Sequence, residues 1–84
     1  MAGYPFHVRV TGATTLDLGV GTPTVVKQCA GNLTIDVGSS ILLNGVGHQM
    51  TAPLTVNGNV LILGSLTLSG LAGGDLTTSG NLTN

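Results

Sequence analysis

The sequence predicts an all-β, elongated repeat protein, and three observations point there. From Leu54 to Leu82, fourteen of the fifteen even positions are apolar or Gly, while ten of the fourteen odd positions between them are polar or charged. Alternation of period two means extended chain with one buried and one wet face. Glycines recur with a second rhythm: Gly58, Gly64 and Gly70 are six apart, as are Gly74 and Gly80. The tetrapeptide Gly-x-Leu-Thr occurs at Gly31–Thr34, Gly64–Thr67, Gly74–Thr77 and Gly80–Thr83, and such self-similarity marks a repeat architecture. Finally, charged residues are 6% of the 84 and aromatics 2%, so neither a charged surface nor aromatic bulk is available to build an ordinary globular domain.

The elements follow in chain order. Phe6, Val8, Val10 and Gly12 alternate with His7, Arg9 and Thr11, a short strand pattern. Thr22-Pro23-Thr24 interrupts it, since Pro is poorly placed in a central strand. This divides the chain into an N-terminal attachment segment, 1–24, and a repeat stem, 25–84. The alternation assigns no phase to Val25–Ala30. From Leu33 the apolar residues fall on odd positions, and from Leu54 on even ones. The phase therefore changes between Gly45 and Leu54, with Gly45-Val46-Gly47-His48-Gln49-Met50 as the expected turn or bulge.

Twenty-nine residues of unbroken strand would reach roughly 95 Å, far beyond strands of ordinary length. The chain must turn back on itself or share its strands. It can wind as a single-chain β-solenoid, or three chains can wind about a common axis as an intertwined homotrimeric β-helix. A hexad is short for one coil of a solitary solenoid, which favours the intertwined form. Small size argues the same way, because a chain of this length without disulfides gains most from oligomerisation.

Composition also excludes functions. Arg9 and Lys27 are the only cations, too few for a nucleic-acid surface. Cys29 is alone, so there is no disulfide framework. The first ten residues lack the pattern of a secretory signal, and no apolar run approaches a transmembrane helix. Asp17, Asp36 and Asp75 are isolated carboxylates, and Ser39 and Ser40 have no His and acid at a recognisable spacing. The expectation is a protein that is not an enzyme.

Three stretches resemble a known family: Gly31-Asn-Leu-Thr-Ile-Asp-Val-Gly-Ser-Ser-Ile-Leu-Leu-Asn-Gly45, Thr55-Val-Asn-Gly-Asn-Val-Leu-Ile-Leu-Gly64 and Gly74-Asp-Leu-Thr-Thr-Ser-Gly-Asn-Leu-Thr83. Together they are similar to the β-helical stem of the membrane-piercing, cell-puncturing spikes of contractile-tail phage baseplates. The resemblance implies a homotrimer with a dry axial core, located in the virion at the tail tip. Its inward residues would be Leu33, Ile35, Val37, Ile41, Leu43, Leu54, Val56, Val60, Ile62, Leu66, Leu68, Leu76 and Leu82. The His-x-His tip motif and the hub-binding barrel of such spikes have no counterpart here, so a baseplate hub and a separate tip protein become the expected partners, with transient contact to the host envelope. Tail-fibre or adhesin shafts and bactofilin-like polymerising solenoids share this kind of repeat and stand as alternatives.

Two sets of residues remain as candidate sites. Tyr4 and Phe6 hold both aromatics beside the N-terminus, as an attachment point for a partner or a lid over the end of the core. His7, Cys29 and His48 are the only soft metal ligands, and their spacing fits no zinc motif. His48 shares the even phase of Met50, Ala52 and Leu54; facing a three-fold axis, three copies of it would hold an on-axis ion. A histidine at a surface turn is the plainer reading. No other cofactor is expected.

Overall fold

The computed structural model describes residues 6–84, and Tyr4 lies outside them. Among the described residues, ten strands of two or three residues follow one another without a helix: β1 (Val8–Val10), β2 (Thr15–Asp17), β3 (Lys27–Cys29), β4 (Leu33–Ile35), β5 (Ser40–Leu42), β6 (Leu54–Val56), β7 (Val60–Ile62), β8 (Ser65–Thr67), β9 (Leu76–Thr78) and β10 (Leu82–Thr83). All pairings are parallel and connect every third strand, giving three sheets ordered β1-β4-β7-β10, β2-β5-β8 and β3-β6-β9. The chain is thus a β-solenoid of three coils plus the first strand of a fourth. Each strand finds its partners within the same chain, so of the two expected windings the coil closes as a single-chain solenoid.

The registers contain one invariant six-residue step. Strands β3, β6 and β9 start at residues 27, 54 and 76, and their successors β4, β7 and β10 start at 33, 60 and 82, six later each time. Six residues is therefore the step around one corner, from the third sheet to the first. The other two sides vary in length: paired strands lie 25 residues apart from Val8 to Leu33, 27 from Leu33 to Val60 and 22 from Val60 to Leu82. Gly74 and Gly80 flank β9 on this six-residue step, whereas Gly58, Gly64 and Gly70 follow the chain through β7 and β8 of the third coil.

Inside, the inward side chains stack in columns: Val8–Leu33–Val60–Leu82, Val10–Ile35–Ile62 and Leu16–Ile41–Leu66. Of the thirteen residues expected inward, Leu33, Ile35, Ile41, Leu43, Leu54, Val56, Val60 and Ile62 are buried, and Leu66 and Leu76 pack against them half-buried. Three lie outside. Leu82 keeps the inward phase but belongs to the last strand, with nothing over it. Leu68 follows β8 and is exposed as the chain leaves the sheet. Val37 is 77% exposed because it occupies a turn, Asp36–Ser39, closed by Ser39 N–H to Asp36 O at 3.0 Å.

That turn recurs. Gly19–Thr22, Gly45–His48 and Leu71–Gly74 close with the same bond, at 3.2, 3.1 and 3.4 Å. In all four the third residue is Gly with φ between 75° and 88° (Gly21, Gly38, Gly47, Gly73), a left-handed conformation that side chains resist. The second residue, Val20, Val37, Val46 or Ala72, projects into solvent. The expected phase change falls at one of them: Leu43 and Gly45 are buried before the Gly45–His48 turn, Met50, Ala52 and Leu54 after it.

Residues 8–17, within the expected attachment segment, supply β1 and β2 and pair with β4 and β5 in the same registers as the coils that follow. Pro23 sits in a turn, Thr22–Val25, on the long side of the first coil. The first coil is thus continuous with the stem across residues 24–25.

Candidate functional site

The most ordered polar feature lies at the invariant corner. Gly31, Gly58 and Gly80 stack one above another, each followed by Asn. Gly58 N–H donates to Gly31 O at 2.8 Å and Gly80 N–H to Gly58 O at 3.0 Å. Beside this backbone column runs an amide ladder: Asn59 N–H donates to Asn32 Oδ1 at 2.9 Å, and Asn81 N–H to Asn59 Oδ1 at 2.8 Å. Only Gly fits at these positions. A Cβ on Gly58 would lie 2.6 Å from Gly31 O, inside any tolerable contact.

His7 begins the ladder. By register it is the first-coil equivalent of Asn32, and its Nδ1 accepts the Asn32 N–H at 3.0 Å. In the neutral ring the proton is then on Nε2. Phe6 packs edge-on against that ring, centroids 4.4 Å apart at 64°, while its carbonyl accepts from Gly31 N–H and from the Cys29 thiol. Of the two expected attachment aromatics, Phe6 is thus exposed at the first rung, and Tyr4 falls outside the described residues.

His48 joins coils instead. Its Nε2 lies 2.6 Å from Asp17 Oδ2, at the corner where the Gly45–His48 turn of the second coil meets the first. Asp17 Oδ1 also accepts the Gly19 N–H at 3.0 Å. The His48 hydrogen bond, aided by Gly19 and outweighing partial burial, holds the Asp17 carboxyl below its ordinary range. The ε nitrogen is thereby committed to a carboxylate of its own chain, in place of the symmetric contacts that an on-axis ion requires. Among the described residues, no three of His, Cys, Asp and Glu gather as a metal site.

Arg9 makes the second inter-coil clamp, its Nε and Nη2 each 3.0 Å from an oxygen of Asp36. Planar fork-to-carboxylate pairing of this kind fixes geometry as well as charge. On the second sheet, Ser40 Oγ and Ser65 Oγ meet at 2.8 Å, one above the other in register. The Asn ladder, the Asp17–His48 and Arg9–Asp36 pairs and the Ser40–Ser65 contact each tie one coil to the next, while the Gly19 N–H to Asp17 bond stays within the first coil.

The N-terminal mouth of the stack holds a cavity of about 220 Å³ lined by Val8, Leu16, Leu18, Gln28 and Cys29, floored by Leu33, Ile41 and Leu54, with Lys27 at the rim. Lys27 heads a column that continues as Leu54 and Leu76, an inward position that a cation occupies only because it lies at an end. Its ammonium turns aside to Thr22 O and Oγ1. Thr78 ends the neighbouring column, Cys29–Val56–Thr78, and donates to Gly58 O at 2.8 Å. Lys27 and Thr78 thus place polar groups at the ends of these two columns, whereas the middle coil buries Ser39, whose Oγ accepts the Thr14 N–H at 3.3 Å.

Sequence reasoning missed Asn32, Asn59 and Asn81, and it weighed His7 as a metal ligand rather than as the first rung. A signal for them exists: Gly-Asn occurs only at 31–32, 58–59 and 80–81, and all three are rungs. It missed Asp17 as the partner of His48 because the two are 31 residues apart and meet only through the coil spacing.

Comparison with known protein families, curated proteins and solved structures finds no match for the chain. Among the described residues no helix is long and apolar enough to cross a membrane.

Proposed function

We propose that the chain is a structural shaft segment that acts by stiffness rather than by catalysis, and that it serves in the puncturing spike of a phage-like tail tip, in the virion. The observation that carries the mechanical reading is the continuity of its contacts along the stack. Three parallel sheets, the corner ladder and the Arg9–Asp36 and Asp17–His48 clamps all run between coils. Force applied along the stack is therefore borne by many hydrogen bonds in parallel. The resemblance of Gly31–Gly45, Thr55–Gly64 and Gly74–Thr83 to spike stems supports the tail-tip assignment, with a self-trimer, a baseplate hub and a separate tip protein as partners.

A second reading is a solenoid that polymerises end to end into a filament. What favours it is the closure of the coil within one chain, in which, among the described residues, β1, β2 and β3 at one face of the stack and β8, β9 and β10 at the other are edge strands. Such edges recruit further strands. An adhesin shaft draws less support, since Phe6 is the only aromatic among the described residues.

Light scattering coupled to size exclusion, repeated after dilution, tests these readings. The spike predicts a dilution-resistant mass of three chains. Polymers that lengthen with concentration replace it with the filament. A single 8.3 kDa species at all concentrations removes both.

A further inference from the structure

Two Asn-Gly pairs occur in the chain, Asn44-Gly45 and Asn57-Gly58. Asparagine is chemically labile, and most so before Gly, where no side chain shields the next backbone nitrogen. The Gly nitrogen attacks the Asn Cγ, a C–N bond forms, and the side-chain nitrogen leaves as ammonia, giving a succinimide. Water then opens that ring at either carbonyl, yielding Asp or isoaspartate. The attack requires a Gly amide not held elsewhere and an Asn side chain able to swing over it.

The fold treats the two pairs differently. Asn57 and Gly58 are pinned at the corner column: Asn57 N–H donates to Cys29 O at 2.9 Å, and Gly58 N–H donates to Gly31 O at 2.8 Å. Cyclisation at Asn57 must first break the column. Asn44 is exposed and stands at the entrance to the Gly45–His48 turn. Neither its amide nor that of Gly45 donates to any acceptor among the described residues.

We propose that Asn44 is a site of spontaneous deamidation and isoaspartate formation, and that Asn57 is protected from it by the corner column. The site is placed where the change has structural consequences. Gly45 packs so closely on Asp17 and His48 that a Cβ there would strike both side chains. Isoaspartate adds a methylene to the backbone just before this contact, shifting Gly45 and the turn that carries His48. Either product also adds a carboxylate two residues beyond Leu42, the register partner of Asp17.

The folded full-length chain, incubated at mildly alkaline pH and peptide-mapped over time, tests this. Asn44 is expected to convert roughly tenfold faster than Asn57, the factor set by the column hydrogen bond that Asn57 must break. In urea the difference should vanish, and the His48 ring resonances of the folded chain should change in step with conversion. Asn44→Gln should abolish both the conversion and the drift of His48. Equal conversion at the two sites in the folded chain, faster conversion at Asn57, no conversion at Asn44, or an Asn44 preference that persists in urea each overturns the proposal.

Discussion

A single methyl group distinguishes the two uses of glycine in this chain. At Gly58 the backbone is crowded by the coil below, and a Cβ would lie 2.6 Å from Gly31 O. At Gly38 the surroundings are open and only the conformation, φ 81°, is demanding. Gly58→Ala should therefore lose about 2–3 kcal/mol, as overpacking against rigid backbone does. Gly38→Ala should lose about 1 kcal/mol, the strain of a left-handed alanine. Urea unfolding of the two variants checks the order, and a Gly38→Ala loss exceeding that of Gly58→Ala would remove the corner column as the constraint. At the same scale, Asp17 makes stability depend on pH. Its carboxyl is held below the ordinary value of 3.8, so the folded chain binds its proton less readily than the unfolded one. The stabilisation is therefore complete above that ordinary value and disappears as pH falls through the lower folded value. Urea midpoints between pH 5 and pH 2 should fall more for the natural chain than for Asp17→Asn. Parallel curves would mean that the His48 contact does not act on Asp17 in solution.

At the scale of elements, period-two alternation was enough to expose the strands, because each strand contributes alternating inward and outward positions whatever its partner. It misled at the turns. Val37 continues the odd-position rhythm of Leu33 and Ile35, yet the chain leaves the sheet after Ile35, and a turn carries no inward face. The Val-Gly pairs at 20–21, 37–38 and 46–47 were visible as sequence, but their shared turn requires knowing which carbonyl lies three residues back. The corner ladder was hidden for another reason: its rungs are 27 and 22 residues apart, so no fixed period reveals them. The Asp17–His48 clamp depends on the same unequal spacing. A direct contrast tests the turn assignment. Val46, 95% exposed at its turn, should accept Ser within about 0.5 kcal/mol. Leu43, fully buried three residues earlier, should lose about 2–5 kcal/mol on substitution by Ala. Comparable losses at the two positions would show that the Gly45–His48 turn is packed against something in solution.

At the scale of the whole molecule, a stack of coils has stability that varies along its axis. Each coil is held by its neighbours, so the middle coil has two and each terminal coil one. The burial pattern follows: Ile35, Ile41 and Val56 of the second coil are sealed, whereas Leu16 of the first and Leu82 of the last strand are open. The cavity lies at the first coil, and the polar ends of the core columns lie at both mouths. Amide hydrogen exchange should therefore be slowest in β4, β5 and β6 and fastest in β1, β2 and β10, since local opening follows the density of packed neighbours. Performed at two protein concentrations, the same measurement separates the modes of assembly. End-on stacking pairs the open strands, so β1 and β10 should gain protection as concentration rises while the middle coil stays unchanged. Side-by-side trimerisation leaves the ends exposed and shifts protection to outward positions of the sheets, such as Leu61 on β7. A flat profile at the lowest concentration would contradict the stack itself, because coils with one neighbour would then be as firmly held as coils with two.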